Sequence, residues 1–234
     1  HAVTVLADAL VKGADIDRDA AMKAMVETAT CPYYESLGDY MRLGYAPFDK
    51  NGTAASNTLE YSFDDWTIYS AAKHLGMEDI AGQFEKRALY YRNTFDKSIG
   101  FANARYSDGS FKKDLDPYQT SGEGFIEGNS WNFSFQAPQD VDGLISLFGG
   151  DKAFIGKLDR LFEMDLPAKY YEHNEDVTAD CLVGGYVHGN EPSHHIPYLY
   201  AWTSQPWKTQ TWMRTIMNKM YRNHIRGLGG NADC

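Results

Sequence analysis

Apolar residues recur at helical spacing along most of this 234-residue chain, and this pattern predicts a mainly helical protein. Glycines follow several of the helical stretches, as Gly13 and Gly76 do. Strand patterns are few, and no repeat of about 20–50 residues is evident. The predicted helices are about nine segments, residues 3–11, 18–28, 34–43, 58–75, 78–95, 141–147, 152–162, 194–202 and 208–224.

Two long stretches, residues 100–136 and 164–189, interrupt the helical pattern with Gly, Asp, Ser and isolated aromatic residues. Long loops in a compact domain are usually functional or disordered. These loops hold Trp, Glu and Asn close together in sequence, which favours function. We therefore predict one all-α domain over residues 1–234, an α/α toroid in which helical hairpins pack in a ring and the loops gather over one end.

The composition excludes some classes of partner and leaves others open. A net charge of −10 argues against nucleic acids and anionic membranes, and no apolar run reaches the roughly 20 residues of a membrane span. Aromatic residues make up 14% of the chain, and their faces could stack on sugar rings. A tyrosine-rich helical core explains the same composition equally well.

The cysteines and the possible glycosylation triplets bear on whether the protein is exported from the cell. Cys31, Cys181 and Cys234 lack Cys-x-x-Cys spacing, which disfavours a structural zinc site but fits either one disulfide or three thiols. Asn51 and Asn132 each begin an Asn-x-Ser/Thr triplet, a weak indication of export. We expect a secreted protein, extracellular or periplasmic.

Cleavage of a glycoside needs two acidic residues, and this chain has two candidates for these roles. Glu127 lies between Phe125 and Trp131, and such neighbours would partly desolvate it, raise its pKa and suit it to general acid catalysis. A solvated loop glutamate is the alternative, and Glu123 is a nearby competitor. Asp233 lies among Gly and Asn residues whose backbone N–H groups would keep a general base ionised, although an ordinary helix-ending loop looks the same.

Asn190 and Glu191 precede a predicted helix, and their oxygen atoms are hard ligands of the kind that calcium prefers. Glu191 could instead stabilise the start of the helix. A zinc site built from His188, His194 and His195 is disfavoured, because adjacent helical side chains point about 100° apart.

Two further clusters could contact a sugar. Asp64 and Asp65 directly precede Trp66 on one predicted helix, although a solvated helix face is the commoner explanation of such charges. Trp207 and Lys208 lie at a predicted helix start, where an exposed tryptophan or a core tryptophan with polar neighbours would look alike.

Together these strings resemble the catalytic domain of glycoside hydrolase family 92, the calcium-dependent exo-acting α-mannosidases. The similar strings are Thr-Leu-Glu-Tyr-Ser-Phe-Asp-Asp-Trp at 58–66, Glu-Gly-Asn-Ser-Trp at 127–131, His-Gly-Asn-Glu-Pro-Ser-His-His at 188–195, Gln-Pro-Trp-Lys-Thr-Gln at 205–210 and Gly-Asn-Ala-Asp-Cys at 230–234. They occur in the family's order and span nearly the whole chain.

The resemblance implies an (α/α)6 barrel packed against an N-terminal β-sandwich, and inverting hydrolysis of terminal α-mannosides in glycans. Glu127 would be the general acid and Asp233 the general base, with carboxyls roughly 6.5–9.5 Å apart. Calcium, with Asn190 and Glu191 among its ligands, would bind the mannose 2- and 3-hydroxyls and help distort the ring.

The resemblance also implies the substrate contacts, which are Asp64, Asp65, Trp66, Trp131, Glu175, His194, His195, Trp207 and Lys208. Asn174 and Glu175 stand where some members carry His-Glu against the leaving sugar, so α-1,2 specificity is not implied. Ala232 stands where members often carry an acidic residue.

No β-sandwich sequence precedes the helices, and the chain stops within the last similar string. We therefore expect a fragment that is inactive alone and whose partners include the missing parts of its own chain. The alternatives are another α/α-toroid glycosidase or a polysaccharide lyase, and a non-catalytic helical binding module. A lyase would need Arg, Tyr and His at its cleft, whereas the candidate cleft of this chain is acidic.

Overall fold

The computed structural model of the chain describes residues 2–173, 177–224 and 227. The chain divides into two units. The first unit contains residues 1–94 and 104–112, and the second contains residues 95–103 and 113–234. None of the helices in the described ranges is long and apolar enough to cross a membrane.

The first unit is built from helices around one long central helix. These are α1 (Ala2–Val11), α2 (Arg18–Ala29), α3 (Leu37–Leu43), the central α4 (Ala54–Leu75), α5 (Glu78–Glu85) and a 3₁₀ segment (Arg87–Thr94). Asp17 caps α2 by accepting a hydrogen bond from the Ala20 backbone N–H. Gly76 ends α4 in the left-handed conformation, with φ of 72°.

The core of the first unit lies where α1, α2, α4 and α5 meet. Small residues of α4 let the neighbouring helices approach closely, and larger side chains fill the space between them. The buried residues are Val3, Ala7, Leu10, Ala21, Met22, Met25, Ala29, Ile68, Ala71, Ala72, Ala81 and Phe84.

The second unit has shorter helices and more connecting segments. Its α-helices are α6 (Ser130–Phe133), α7 (Val141–Leu147), α8 (Asp151–Glu163) and α9 (Trp207–Met220). Its 3₁₀ segments are Pro138–Asp140, Ala168–Tyr170, Ala179–Cys181, Glu191–Ser193 and Ile196–Trp202. Phe135, Phe148 and Phe154 form an aromatic core, with ring centroids 5.2–5.7 Å apart.

Two antiparallel hairpins of two-residue strands complete the second unit. Strand β1 (Phe95–Asp96) pairs with β2 (Phe101–Ala102), and β3 (Leu182–Val183) pairs with β4 (Tyr186–Val187). In the second hairpin, Leu182 lies opposite Val187. Gly184 in its turn has φ of 63°, and a Cβ there would lie 2.4 Å from the Phe162 carbonyl oxygen at the end of α8. The turn therefore requires glycine.

Five predicted helices differ from the observed elements. Two differ only in extent, because α4 begins at Ala54 instead of residue 58 and α9 ends at Met220 instead of residue 224. The segment predicted over 78–95 changes at Arg87 to a 3₁₀ helix, in which Ala88, Tyr91 and Thr94 are buried at a spacing of three residues. The segment predicted over 194–202 is a 3₁₀ helix from Ile196, with Pro197 at its start. The helix predicted over 34–43 begins at Leu37, because Glu35 and Ser36 have positive φ.

The described cysteines and glycosylation triplets bear on the prediction of export. Cys31 and Cys181 are free thiols, so no disulfide joins them, whereas Cys234 lies outside the described residues. Asn132 is 4% exposed, so its triplet is not a glycosylation site in the folded protein. This triplet therefore gives no support for the prediction of export.

Candidate active site

Glu127 lies on a loop whose shape is set by its neighbours. The residue is exposed and has a left-handed backbone with φ of 57°. A Cβ on Gly128 would lie 2.9 Å from a ring carbon of Phe133, so only glycine fits there. Asn129 then caps α6 by accepting a hydrogen bond from the Asn132 backbone N–H at 3.1 Å.

Glu127 is exposed, although aromatic residues lie on both sides of it in the sequence. Phe125 and Phe133 are buried and stack on each other with centroids 5.4 Å apart. They support the loop, while the Glu127 side chain is exposed. The aromatic pair is thus part of the core beneath the loop, and Glu127 lies on the surface.

Helix α6, directly after this loop, is held by hydrogen bonds from side chains to backbone groups of other segments. Ser130 Oγ donates to the Ala102 carbonyl at 2.6 Å, and Ser134 Oγ accepts from the Ala102 N–H at 2.7 Å. Asn132 Nδ2 donates to the Gly185 carbonyl at 3.0 Å. The sequence singled out Asn132 only as the start of an Asn-x-Ser triplet and gave it no role in the site.

Asn190 joins the predicted metal segment to the Glu127 loop. Its Nδ2 donates a 2.8 Å hydrogen bond to the backbone carbonyl of Glu127, and the residue is 4% exposed. Glu191, the next residue, is half-buried at the start of a 3₁₀ segment. The structure thus joins the Asn190 segment to the Glu127 loop, and their shared role in one site stays a prediction.

The oxygen atoms of Asn190 and Glu191 fit a hard cation. Since the Asn190 amide nitrogen is bonded to the Glu127 carbonyl, Oδ1 is the atom that could act as a ligand, beside the Glu191 carboxylate. Within the described residues, no group of three or more His, Cys, Asp or Glu side chains could hold a metal. The pair would therefore supply only part of a calcium coordination sphere.

The histidines near this segment bind protein groups. His188 has Nδ1 2.9 Å from the Tyr186 hydroxyl and Nε2 2.6 Å from the Tyr221 hydroxyl, and burial lowers its pKa to about 4. His194 Nε2 lies 2.9 Å from the His188 carbonyl oxygen. His195 Nε2 lies 2.8 Å from the Phe135 carbonyl oxygen, and burial lowers the pKa of His195. These contacts hold the 188–195 segment in place.

Trp131 and Lys157 form a cation–aromatic cluster behind the loop. Trp131 is 5% exposed and lies edge-on to Phe101, with centroids 4.8 Å apart. Lys157 Nζ lies 3.3 Å from the Phe101 centroid and 4.6 Å from the Trp131 ring. Because protein covers the indole ring, contact between Trp131 and substrate stays a prediction.

Trp207 and Lys208 lie at the start of α9. Trp207 is 58% exposed, which excludes the alternative of a core tryptophan. Lys208 Nζ pairs with Asp159 Oδ2 at 2.6 Å, and the Tyr200 hydroxyl donates to Asp159 Oδ1 at 2.9 Å. The exposed indole could stack on a sugar, and the ion pair fixes the lysine beside it.

The predicted acids of the first unit have different surroundings. Asp65 is 1% exposed and accepts hydrogen bonds from Tyr40 at 2.7 Å and from Arg87 Nε at 2.9 Å. Burial raises its pKa to about 7, while Arg87 and Tyr40 oppose that rise. Asp64 is half-buried and accepts a 2.8 Å hydrogen bond from Thr4, and burial raises its pKa.

Asp65 therefore stabilises the helix packing, and Asp64 is the acid of this pair that we retain as a candidate substrate contact. Trp66 is half-buried and stacks on Phe63, with centroids 5.8 Å apart. Glu175 and Asp233 lie outside the described residues, so their predicted contacts stay predictions.

Comparison with known proteins identifies the family. The model of the family described as "Glycosyl hydrolase family 92 catalytic domain" matches residues 1–234. An "Uncharacterized secreted glycosidase" from Arthroderma benhamiae is 27% identical over 273 residues, covering 100% of this chain and 33% of that protein.

Two solved structures from Bacteroides thetaiotaomicron are similar along the chain. A family GH92 α-mannosidase in complex with mannoimidazole has 38% identity and a TM-score of 0.91, covering 100% of this chain and 31% of that one. A family GH92 inverting mannosidase has 32% identity and a TM-score of 0.85, covering 99% and 33%.

The chain spans about a third of the length of these relatives. The structural similarity confirms the predicted all-α fold of the α/α toroid class. Since the family match extends over residues 1–234, the chain belongs to the catalytic-domain family of glycosyl hydrolase family 92.

Proposed function

We propose that the whole protein to which this chain belongs hydrolyses terminal α-linked mannose in glycans, with inversion at the anomeric carbon. The observation that carries the proposal is the 2.8 Å hydrogen bond from Asn190 Nδ2 to the Glu127 carbonyl, in a chain that matches the family throughout. This bond joins the loop of the candidate acid to the segment of the candidate metal ligands. The names of the two mannosidases support mannose as the sugar.

Glu127 is the general acid in this proposal. The residue is exposed, and its carboxyl donates a proton to the glycosidic oxygen as the bond from that oxygen to the anomeric carbon breaks. Asp233 is the general base, which takes a proton from a water that attacks the opposite face of the sugar. The new carbon–oxygen bond leaves mannose in the β configuration.

The Oδ1 atom of Asn190 and the carboxylate of Glu191 would hold a calcium ion, together with sugar hydroxyls and water. When bound, calcium would supply positive charge to the mannose 2- and 3-hydroxyl oxygens and favour ring distortion. The chain's own contribution is to orient these two side chains, and the Glu127 carbonyl fixes the Asn190 amide for that purpose.

The remaining candidate side chains would bind the sugar rings. Trp207 offers an exposed indole face, and Asp64 offers a carboxylate that could accept hydrogen bonds from mannose hydroxyls. Trp66, Trp131, Glu175, His194, His195 and Lys208 complete the proposed contact set. We also propose that the whole protein is secreted, which the secreted fungal relative supports.

The experiment that tests this function measures mannose release from α-1,2-, α-1,3- and α-1,6-linked mannobiose by the purified whole protein. We expect release, its loss after treatment with EDTA, and its recovery with calcium but not with magnesium. No release from any α-mannoside would contradict the proposed activity. Release that EDTA does not affect would contradict the proposed use of calcium while leaving hydrolysis in place.

A further inference from the structure

The carboxamide of Asn132 connects three separate segments of the second unit. Its Nδ2 donates to Asn129 Oδ1 at 2.9 Å and to the Gly185 carbonyl at 3.0 Å. Its Oδ1 accepts from the Val187 N–H at 3.1 Å and lies 3.5 Å from the donor Ser193 Oγ. A carboxamide has two donor hydrogens and two acceptor lone pairs, so every one of them is used.

Together with the bond from Asn190, these contacts form a closed circuit, by which we mean a chain of contacts that starts and ends at the Glu127 loop. Asn129, two residues after Glu127, is bonded to Asn132, and Asn132 Oδ1 is in a long 3.5 Å contact with Ser193 Oγ. Ser193 lies in the segment that follows Asn190, and Asn190 donates back to the Glu127 carbonyl. The left-handed backbone of Glu127 is therefore fixed from both sides.

Burial makes the carboxamide hard to replace. Asn132 is 4% exposed, so solvent does not offer substitute hydrogen bonds when its side chain is shortened. The hairpin groups of Gly185 and Val187 would lose their partner, and the 190–193 segment would lose its tie to α6.

We propose that Asn132 is a positioning residue that holds the Glu127 carboxyl against the leaving oxygen of the substrate. The inference rests on the proposed function, in which Glu127 is the general acid. Asn132 acts through the loop and the Asn190 segment, so its removal should impair proton donation more than the other steps of the reaction.

The residue that follows α6, Ser134, offers a matched control. Ser134 is 3% exposed, and its Oγ accepts from the Ala102 N–H and donates to the Ser130 carbonyl at 2.6 Å. Ser134→Ala therefore removes buried hydrogen bonds from α6 and its surroundings without touching the circuit through Glu127 and Asn190.

The test compares two mannosides in the whole protein. A methyl α-mannoside needs a protonated leaving group, whereas a 2,4-dinitrophenyl α-mannoside leaves readily without one. We expect Asn132→Ala to lower kcat about 100-fold on the methyl mannoside and less than about 10-fold on the dinitrophenyl mannoside. Ser134→Ala should change both rates by the same factor.

Two further variants complete the test, the milder Asn132→Ser and the reference Glu127→Gln. Asn132→Ser leaves a hydroxyl in place and should show the same preference for the activated substrate to a smaller degree, and thermal melting of each variant establishes that it is folded at the assay temperature. Equal losses on both substrates for folded Asn132 variants, with a leaving-group effect for Glu127→Gln, would overturn the positioning role alone. Equal losses for Glu127→Gln would overturn the general-acid assignment as well.

Discussion

Asn190 and Glu127 are 63 residues apart in sequence, and the Asn190 amide nitrogen donates a 2.8 Å hydrogen bond to the Glu127 backbone carbonyl. The bond uses the backbone carbonyl of Glu127, and the residue is exposed. One asparagine thus fixes the loop of the candidate acid while its own oxygen stays available as a metal ligand. In the proposed mechanism, this single side chain would couple the position of the acid to metal binding.

Replacing the candidate acid should affect rate and leave stability nearly unchanged. We expect Glu127→Gln to lower kcat on an unactivated α-mannoside by about 10²–10⁴-fold, the usual contribution of general acid catalysis. Because the side chain is exposed, the midpoint of thermal unfolding should stay within about 2 °C of the parent value. Glu123→Gln is the control in the same loop, and a larger rate loss there would move the acid assignment to Glu123.

The buried Asp65–Arg87 pair should be important for stability. Its atoms are 2.8 Å apart, with side chains 1% and 9% exposed. Arg87→Met leaves a buried carboxylate without its cation, and we expect a loss of about 3–5 kcal/mol in the free energy of unfolding. The exposed Lys73–Glu78 pair is the control, and Lys73→Met should leave the free energy of unfolding nearly unchanged when both variants are measured by urea titration. Similar losses for both variants would refute the structural importance of the buried pair.

Gly184 should tolerate alanine less well than Gly76, although both have positive φ of 63° and 72°. Gly76 has open space around its Cβ position, so Gly76→Ala should cost only the left-handed conformation, about 1–2 kcal/mol. At Gly184 a Cβ would meet the Phe162 carbonyl, which should add about 1–3 kcal/mol. Chemical denaturation of the two variants measures the difference, and equal costs would mean that the hairpin does not approach α8 this closely.

Lys157 should make stability increase with pH. Burial lowers its pKa from 10.5 to about 8, so between these values the unfolded chain binds more protons than the folded one. The free energy of unfolding therefore gains from Lys157 as the pH rises from about 8 to 10.5. In Lys157→Met this contribution is lost, whereas Lys152→Met, at an exposed lysine of the same helix, should keep the parent pH dependence. An unchanged slope in Lys157→Met would contradict the burial of its ammonium group.

The amphipathic helices could be predicted from the sequence because their signals are local. The segments predicted over 3–11, 18–28, 141–147 and 152–162 correspond to α1, α2, α7 and α8 within one residue at each end. Asp17 and Asp140 cap two of them through backbone N–H groups three residues ahead. Such caps and apolar spacings lie within one or two turns, so the sequence records them directly.

The 3₁₀ segment Arg87–Thr94 was predicted as α-helix, and the shortest strands were not predicted. The buried spacing of three residues in Arg87–Thr94 resembles that of an α-helix too closely to be recognised. The hairpin around Gly184 has strands of two residues, too short for an alternating pattern, although its adjacent glycines were an overlooked turn signal.

The candidate site was predicted unevenly for a similar reason. The motif strings named Glu127 and Asn190 as candidates, and the structure joins these two residues by one hydrogen bond. They did not indicate that Asp65 is buried against Arg87 or that Asn132 connects three segments. Both depend on hydrogen bonds between residues distant in sequence, which neither periodicity nor composition can reveal.

The most direct test of the account follows the anomeric protons of mannose by NMR while the whole protein cleaves an α-mannoside. Inverting hydrolysis by an acid and a base predicts that β-mannose appears first and that the α anomer grows only as the product mutarotates. First appearance of α-mannose would contradict the inverting mechanism.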